Sequence, residues 1–226
     1  MHFSTKEKFF LLILIIIGTI FSSPIIAEEA PPQVIQAAKD GLFPILQSIP
    51  VSSLPRLGLS YQELDQAQLG TGFQVYTIFP EDLFNYKKGT SVSDLISSID
   101  MWFFPIIIKG ESKALLRVVF LNGEWTAAGI GGSTLAKNMS GAISKLSTDG
   151  INKYIFVSIF PASSDFLIIS MDTQEKILPL DSTLRTMKLE KKAILVDNLY
   201  EPSVILDGLN QVVKTNIEWA ELNPAE

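Results

Sequence analysis

The chain has 226 residues, a formal net charge of −6, no cysteine and a single histidine, His2. This length suits one domain of ordinary size or two small ones, and it allows a core that holds together without disulfide bonds. The acidic balance disfavours nucleic-acid binding, and the missing cysteines exclude disulfide frameworks and thiol chemistry.

A secretory signal peptide is predicted over residues 1–27. Two lysines precede an uninterrupted apolar run over residues 9–17, an order that is typical of export signals. We place cleavage after Ala27, so that the exported chain begins at Glu28 and its net charge changes from −6 to −7 with the loss of two lysines and one glutamate. The expected location is periplasmic or secreted. If the segment is not cleaved, the same apolar run would anchor the protein in a membrane.

Removal of that segment also removes His2, and the remaining chain then has neither histidine nor cysteine. This excludes serine nucleophiles activated by histidine, and zinc sites built on imidazole or thiolate. Carboxylates, lysines, tyrosines and hydroxyl groups are left to perform any chemistry. We therefore expect no cofactor and no metal.

Residues 28–226 are predicted to form a single α+β domain that begins with a helical segment over about residues 31–69. Apolar residues recur at helical spacing in "PPQVIQAAKDGLFPILQSI", where Gly41 and Pro44 should kink or divide the helix. A second helix is expected over residues 61–69, because Ser60 and Glu63 have the spacing of a capping box.

Strand patterns begin with "FQVYTIF", which is followed by a loop and a short helix capped by Thr90 or Ser91. Three runs, "MWFFPIIIK", "KALLRVVFL" and "EWTAAGI", then predict a three-stranded antiparallel meander. Asn122 and Gly123 between the last two indicate a two-residue type I′ turn, since both residues tolerate a positive φ. Pro105 places the first run at a sheet edge or at a bulge, because proline cannot donate to a ladder.

The stretch "STLAKNMSGAISKLS" is the clearest amphipathic helix of the sequence. A hairpin follows in "YIFVSIF" and "DFLIISM", then short strands in "EKILPL" and "KAILV", and a closing helix over about residues 203–219. Consecutive hairpins with one long helix between them imply an antiparallel sheet backed by helices. This element order is similar to that of profilin-like, PAS-like and cystatin-like domains, and element order does not give function.

The junction between the third meander strand and this helix is a candidate anion site. Gly131, Gly132, Ser133 and Thr134 would present unpaired backbone N–H groups at a helix amino terminus, with Lys137 in the first turn. The alternative is that the glycines only let the strand turn sharply and let the helix lie close on the sheet. The complete phosphate-loop and dinucleotide-binding patterns are both missing.

Trp102 and Trp125 lie on the first and third runs of the predicted meander and are candidates for an aromatic binding surface. They would be core residues if helices cover both faces of the sheet. If one face is open, they would form part of an apolar groove for a ligand or a partner chain.

These observations favour an exported, non-catalytic binding or interaction domain of the cell envelope or secreted fraction. Its partner would be a small ligand, a peptide or another envelope protein, with no nucleic acid and no membrane span after signal cleavage. The alternative is a hydrolase that uses carboxylates or a lysine, without histidine, cysteine or a transition metal. Convergent titratable groups in a pocket would favour the hydrolase, and apolar or aromatic lining would favour the binding domain.

Overall fold

The structure, a computed structural model, describes residues 29–171, 174–190 and 198–222. The predicted signal peptide and the predicted strand "KAILV" lie outside these residues. The helices are α1 (Pro32–Ser48), α2 (Pro80–Phe84), α3 (Ser133–Thr148), α4 (Asp181–Met187) and α5 (Pro202–Leu222). The strands are β1 (Gln68–Leu69), β2 (Phe73–Thr77), β3 (Ser97–Ile108), β4 (Glu111–Leu121), β5 (Glu124–Gly131), β6 (Tyr154–Ile159), β7 (Ser164–Met171) and β8 (Gln174–Pro179).

One sheet of eight strands contains every strand of the described residues, in the order β5-β4-β3-β2-β6-β7-β8, with β1 beside β3. All neighbouring strands are antiparallel except β2 and β6, which are parallel. The expected α+β fold with an antiparallel sheet and helices is therefore confirmed, and the parallel pair at its centre is an addition that the sequence did not indicate.

Helices cover both faces of this sheet. On the front face, α1 covers β3, β4 and β5, and α5 covers β6, β7 and β8, each over its own apolar cluster. On the back face, α3 lies over a third cluster formed by strands from both halves of the sheet. Paired residues on neighbouring strands point to the same face. Trp102 pairs with Gln74, and Tyr76, two residues further along β2, pairs with Val157, so α1 and α5 share the front face.

Helix α1 is continuous over Pro32–Ser48, so of the predicted alternatives, a kink or a division at Gly41 and Pro44, the division is wrong. Val34, Ala38, Leu42 and Leu46 are buried at helical spacing, and this apolar stripe holds the helix on the sheet. Gly41 allows close packing, because a Cβ on this residue would overlap the Cβ of Ala127 in β5.

The two hairpins of the strands β3, β4 and β5 have two-residue turns. Asn122 has a φ of 53° and Gly123 a φ of 88°, which confirms the predicted turn with positive φ at both positions. Lys109 and Gly110 form the other turn in the same way, with φ values of 53° and 79°. The runs "MWFFPIIIK" and "KALLRVVFL" had predicted a connection of three residues, Gly110, Glu111 and Ser112, so the observed turn begins one residue earlier and is shorter.

Pro105 lies in β3, which is an internal strand, so of the two predicted alternatives, an edge or a bulge, the edge is wrong. A register shift lies one residue beyond Pro105, between Ile106 and Ile107, and it agrees with the other alternative, a bulge. On the opposite side of β3, pairing changes near Pro105 from β2 to β1, and the Gly70 amide donates to the Pro105 carbonyl at 2.7 Å. The missing N–H of Pro105 therefore falls at the gap between two partner strands, where no ladder donor is required.

Two predicted short helices do not form. Residues 61–66 are a 3₁₀ turn, and strand β1 takes the rest of the predicted helix. Ser60 donates its hydroxyl to the Glu63 carboxylate at 2.6 Å instead of capping backbone amides, and Glu63 also binds Lys109 at 2.7 Å. The helix expected after residue 90 is reduced to the 3₁₀ turn Val92–Asp94.

Pairing with β2 extends β3 back to Ser97, so the residues expected in the second half of that helix are in a strand. The loop expected after "FQVYTIF" contains helix α2, which begins at Pro80. Within the described ranges, no helix combines the length and the apolar character that crossing a membrane requires.

Candidate functional site

The strand-to-helix junction forms where the glycines indicated. Strand β5 ends at Gly131, and Gly132 takes a left-handed conformation, with φ 64° and ψ 37°, immediately before α3. The carbonyl of Gly132 accepts the first helical bond, from the Ala136 amide at 2.8 Å. No side chain caps this helix start. Backbone N–H groups of the first turn therefore have no side-chain acceptor, which is the arrangement that favours an anion.

Lys137 is exposed and lies on α3 at the rim of a cleft that runs beside the helix. The cleft has a volume of about 140 Å³ and lies between α3, the end of β8 and the start of α4. We call it the α3–α4 cleft. Its lining residues are Lys137, Asn138, Gly141, Ala142, Lys145, Leu178, Pro179, Leu180, Asp181, Leu184 and Asn198.

The floor and the rim of the α3–α4 cleft differ in character. Leu178, Leu180 and Leu184 are at least nine-tenths buried and give the floor an apolar surface. The rim carries Lys137 and Lys145, which are exposed and two helical turns apart on α3. The cleft therefore combines an apolar floor with cationic groups at one wall.

Local sequence explains why this space stays open. Residues 141 and 142 of α3 are glycine and alanine, and a Cβ on Gly141 would meet nothing within 4 Å. Opposite them, β8 ends at Pro179, and the chain turns through Leu180 into α4. A strand end and two small helical residues thus leave a gap that larger side chains would fill.

Of the five residues of the predicted anion site, only one also lines the α3–α4 cleft. Lys137 lines the cleft, whereas Gly131, Gly132, Ser133 and Thr134 lie at the start of α3 outside that lining. Lys137 thus adjoins both places, and the anion site at the helix start stays a prediction.

The sequence did not identify the other polar residues of the α3–α4 cleft as site residues. Asn138 and Lys145 belong to the polar face of the amphipathic helix, but their pattern is that of any solvated face. Asp181 and Asn198 are brought to the same cleft from distant parts of the chain. No local spacing connects them with α3, so a sequence pattern could not have found them.

Trp102 lies in the core, which is the alternative expected if helices cover both faces of the sheet, and not on an aromatic surface. Its side chain is 2% exposed and lies on the front face under α1, in the same core as Phe104, Ile106 and Ile108, which alternate with it along β3. Trp125 is half-buried and packs against the edge of the same core, with its ring 5.4 Å from that of Phe120. Phe120 is 44% exposed, so some aromatic surface remains at the end of the β4–β5 hairpin.

Titratable groups with displaced pKa values occur in two settings. Desolvation raises the pKa of Tyr154, which packs beside α3, and the pKa of Tyr86, where Asp207 adds to the effect. The hydrogen bond from Lys109 lowers the pKa of Glu63, and the bond from Lys113 lowers that of Glu111. Burial and ion pairing account for these shifts.

Among the described residues, no group of three or more histidine, cysteine, aspartate or glutamate side chains is placed so that it could hold a metal ion. The carboxylate of Asp165 takes part in hydrogen bonds within the fold. It accepts hydrogen bonds from the Ser158 and Ser182 hydroxyls, both at 2.8 Å, and so joins β6, β7 and α4. This carboxylate has a structural role in the described fold.

Comparison of the chain with protein-family models, with curated proteins and with solved structures gives no match.

Proposed function

We propose that this chain is an exported, non-catalytic binding domain of the cell envelope or secreted fraction, and that its ligand lies in the α3–α4 cleft. The proposal rests on one observation: the α3–α4 cleft has two lysines, Lys137 and Lys145, beside an apolar floor. Such a site suits a small molecule, or the end of a peptide, that has an anionic group and a short apolar part.

The charges set the orientation of the ligand. Its anionic group would lie at the α3 wall, where Lys137 and Lys145 supply the cations, and its apolar part would cover Leu178 and Leu184. The volume of about 140 Å³ limits the enclosed part to a few heavy atoms. The rest of a larger partner, such as a peptide or an envelope protein, would remain on the surface. The acidic net charge of −6 opposes a nucleic acid as the partner.

A thermal shift experiment at constant ionic strength tests the site. Inorganic phosphate and hexanoate serve as probes, the second because it adds an apolar chain to an anion. Both should raise the melting temperature of the wild type by mass action, hexanoate more than phosphate. Lys137→Ala should remove the gain, and Lys39→Ala, on the exposed side of α1, should keep it. Equal shifts in all three proteins would exclude the site.

Lys145→Ala separates the two places that Lys137 adjoins. If the anion lies in the α3–α4 cleft, both lysine variants lose the gain. If it lies on the amides at Gly131–Thr134, Lys137→Ala loses the gain and Lys145→Ala keeps it, because Lys145 is two turns further along α3.

The hydrolase alternative has one observation in its favour, since Asp181 lines the same cleft as the two lysines. A carboxylate beside an amine is a combination from which acid and base catalysis can be built. Turnover of chromogenic esters or glycosides that is lost in Asp181→Asn, while the melting temperature is kept, would establish this alternative. Absence of turnover, together with ligand-induced stabilisation, would support the binding domain.

Export is the second part of the proposal and follows from the basic and apolar segments of residues 1–27. Amino-terminal sequencing of protein from the extracytoplasmic fraction should begin at Glu28. Full-length protein found in the cytoplasm would contradict export, and full-length protein in the membrane fraction would show that the segment is an anchor. The finer description of the fold, with a meander, a helix and a hairpin in the order of profilin-like, PAS-like or cystatin-like domains, also remains a proposal and adds no function.

A further inference from the structure

The two edges of the sheet differ in how they are closed. At one edge, β8 ends at Pro179 and exchanges backbone hydrogen bonds with Tyr200, both at 2.9 Å. At the other edge, β5 pairs with β4 on one side, and no described segment pairs with its outer side. The outer backbone groups of β5 are therefore available to another strand.

Strand β5 also has few of the features that prevent edge pairing. Its sequence is "EWTAAGIG", with no lysine, no proline and one charge, that of Glu124 at its start. Its irregularity is a register shift opposite Arg117 and Val118, which leaves Glu124–Ala127 in regular pairing with β4. Lysine, proline, charge and bulges are the usual protections of a sheet edge; β5 has the register shift near Ala128, and its regular part, Glu124–Ala127, is open to association.

Arg117 places a cation beside this edge. It pairs with Gly129, and because glycine has no side chain, the guanidinium lies over the strand: a Cβ on Gly129 would be 4.0 Å from Arg117 Nη2. Arg117 and Glu124 are both exposed, and neither belongs to a salt bridge among the described residues. Each charge thus lacks an ionic partner within the described part of its own chain.

We propose that β5 pairs antiparallel with β5 of a second copy of this chain, about a two-fold axis at Thr126. In that register Thr126 lies opposite Thr126 of the second copy, Trp125 opposite Ala127, and Glu124 opposite Ala128. Residues that alternate along β5 keep their faces, so Trp125 and Ala127 stay on the front face, where Ala127 contacts Gly41 of α1 in its own chain.

Charge complementarity selects a second copy as the occupant. Glu124 of one copy lies opposite Ala128 of the second copy and therefore next to Gly129 of the second copy. The guanidinium of the second copy's own Arg117 lies over that Gly129. The two-fold axis repeats this contact, so two Arg117–Glu124 ion pairs form across one interface. An unrelated strand would have to supply both a carboxylate and a cation at this separation.

Sedimentation equilibrium of the protein in its natural processed form tests the proposal. The wild type should be a monomer–dimer system with a dissociation constant in the micromolar range, about 1–100 µM, because the interface is small and its ion pairs are exposed. Glu124→Arg and Arg117→Glu should each weaken the dimer by about tenfold or more, since they place like charges together. The double variant with both changes should return to within about threefold of the wild type.

Arg56→Glu is the matched control for Arg117→Glu, because it makes the same change of net charge at an exposed position away from β5. It should leave the dimer unchanged. A wild type that stays monomeric at about 500 µM, single variants that dimerise as the wild type does, or a double variant that fails to recover would each overturn the proposal. Assemblies larger than a dimer would also overturn it, since β5 pairing about a two-fold axis closes the interface.

Discussion

Gly41 of α1 and Ala127 of β5 are in such close contact that a Cβ on Gly41 would overlap the Cβ of Ala127. This contact fixes the distance between the first helix and the edge strand of the sheet. It also explains a glycine in the middle of a 17-residue helix, where its conformational freedom alone would be unfavourable. Gly141 of α3 has no such contact, because a Cβ on this residue would meet nothing within 4 Å.

Gly41→Ala should lower the free energy of unfolding by about 1–2 kcal/mol. Alanine improves helix propensity by about 1 kcal/mol, but the overlap with Ala127 moves α1 away from the core and costs more. Gly141→Ala makes the same chemical change in the interior of α3 and should stabilise by about 0.5–1 kcal/mol. Urea unfolding of both variants measures the contrast, and effects of the same sign would contradict the packing of α1.

Gly123→Val should destabilise the protein by about 1–3 kcal/mol, because a β-branched residue would have to take a φ near the 88° of Gly123. A Cβ here meets nothing within 4 Å, so backbone strain is the cause and not a clash. Gly123→Asn is the control, since asparagine tolerates this conformation and should cost less. Equal losses in thermal melts would point to a cause other than φ.

Glu175 of β8 holds the 3₁₀ turn at Val92–Asp94. Its carboxylate accepts from the Val92 amide at 2.6 Å, from the Ser93 amide at 3.3 Å and from the hydroxyls of Ser91 and Ser93. A side chain 84 residues away from Ser91 thus caps a turn that has no cap of its own.

Glu175→Ala should destabilise by about 1–3 kcal/mol, because it leaves the amide at the buried Val92 without its acceptor. Amide hydrogen exchange at Val92 should accelerate in parallel. Glu218→Ala, at an exposed position on α5, should change stability by less than about 0.5 kcal/mol. Unchanged exchange at Val92 in Glu175→Ala would show that the cap contributes little.

Glu63 should make stability depend on pH in the acid range. The hydrogen bond from Lys109 lowers the pKa of Glu63 below its ordinary value, with Ser60 adding to the effect. The stabilisation is therefore complete above the ordinary glutamate pKa and is lost as the pH falls through the lowered value. Glu63→Gln should be less stable than the wild type near pH 7, and the difference should be smaller near pH 3, below the ordinary glutamate pKa.

Lys109→Gln removes the cation that binds Glu63, so the free energy of unfolding of this variant should depend less on pH than that of the wild type. Urea midpoints at the two pH values measure the effect. A difference between wild type and Glu63→Gln that grows as the pH falls would contradict the assignment, because protonation removes the attraction for Lys109.

The sequence alone predicted the elements whose cause is local. The helix α1 and the helix α3 follow from apolar residues at helical spacing, and the turn at Asn122 and Gly123 follows from two residues that accept a positive φ. The hairpin of β6 and β7 follows from two β-rich runs with a short connection. In each case the deciding interactions lie within a few residues of one another.

Tertiary structure decided the rest, because the deciding partners are distant in the chain. Glu63 reaches Lys109 instead of completing a capping box, and β1 forms because β3 has an unpaired side beside Pro105. The parallel pairing of β2 with β6 joins segments about 80 residues apart and is what places α1 and α5 on one face. The α3–α4 cleft likewise forms because Asp181 and Asn198 lie close to a helix that begins at Ser133. These segments come together only when the sheet forms, so no periodicity or motif in the sequence predicts their contact.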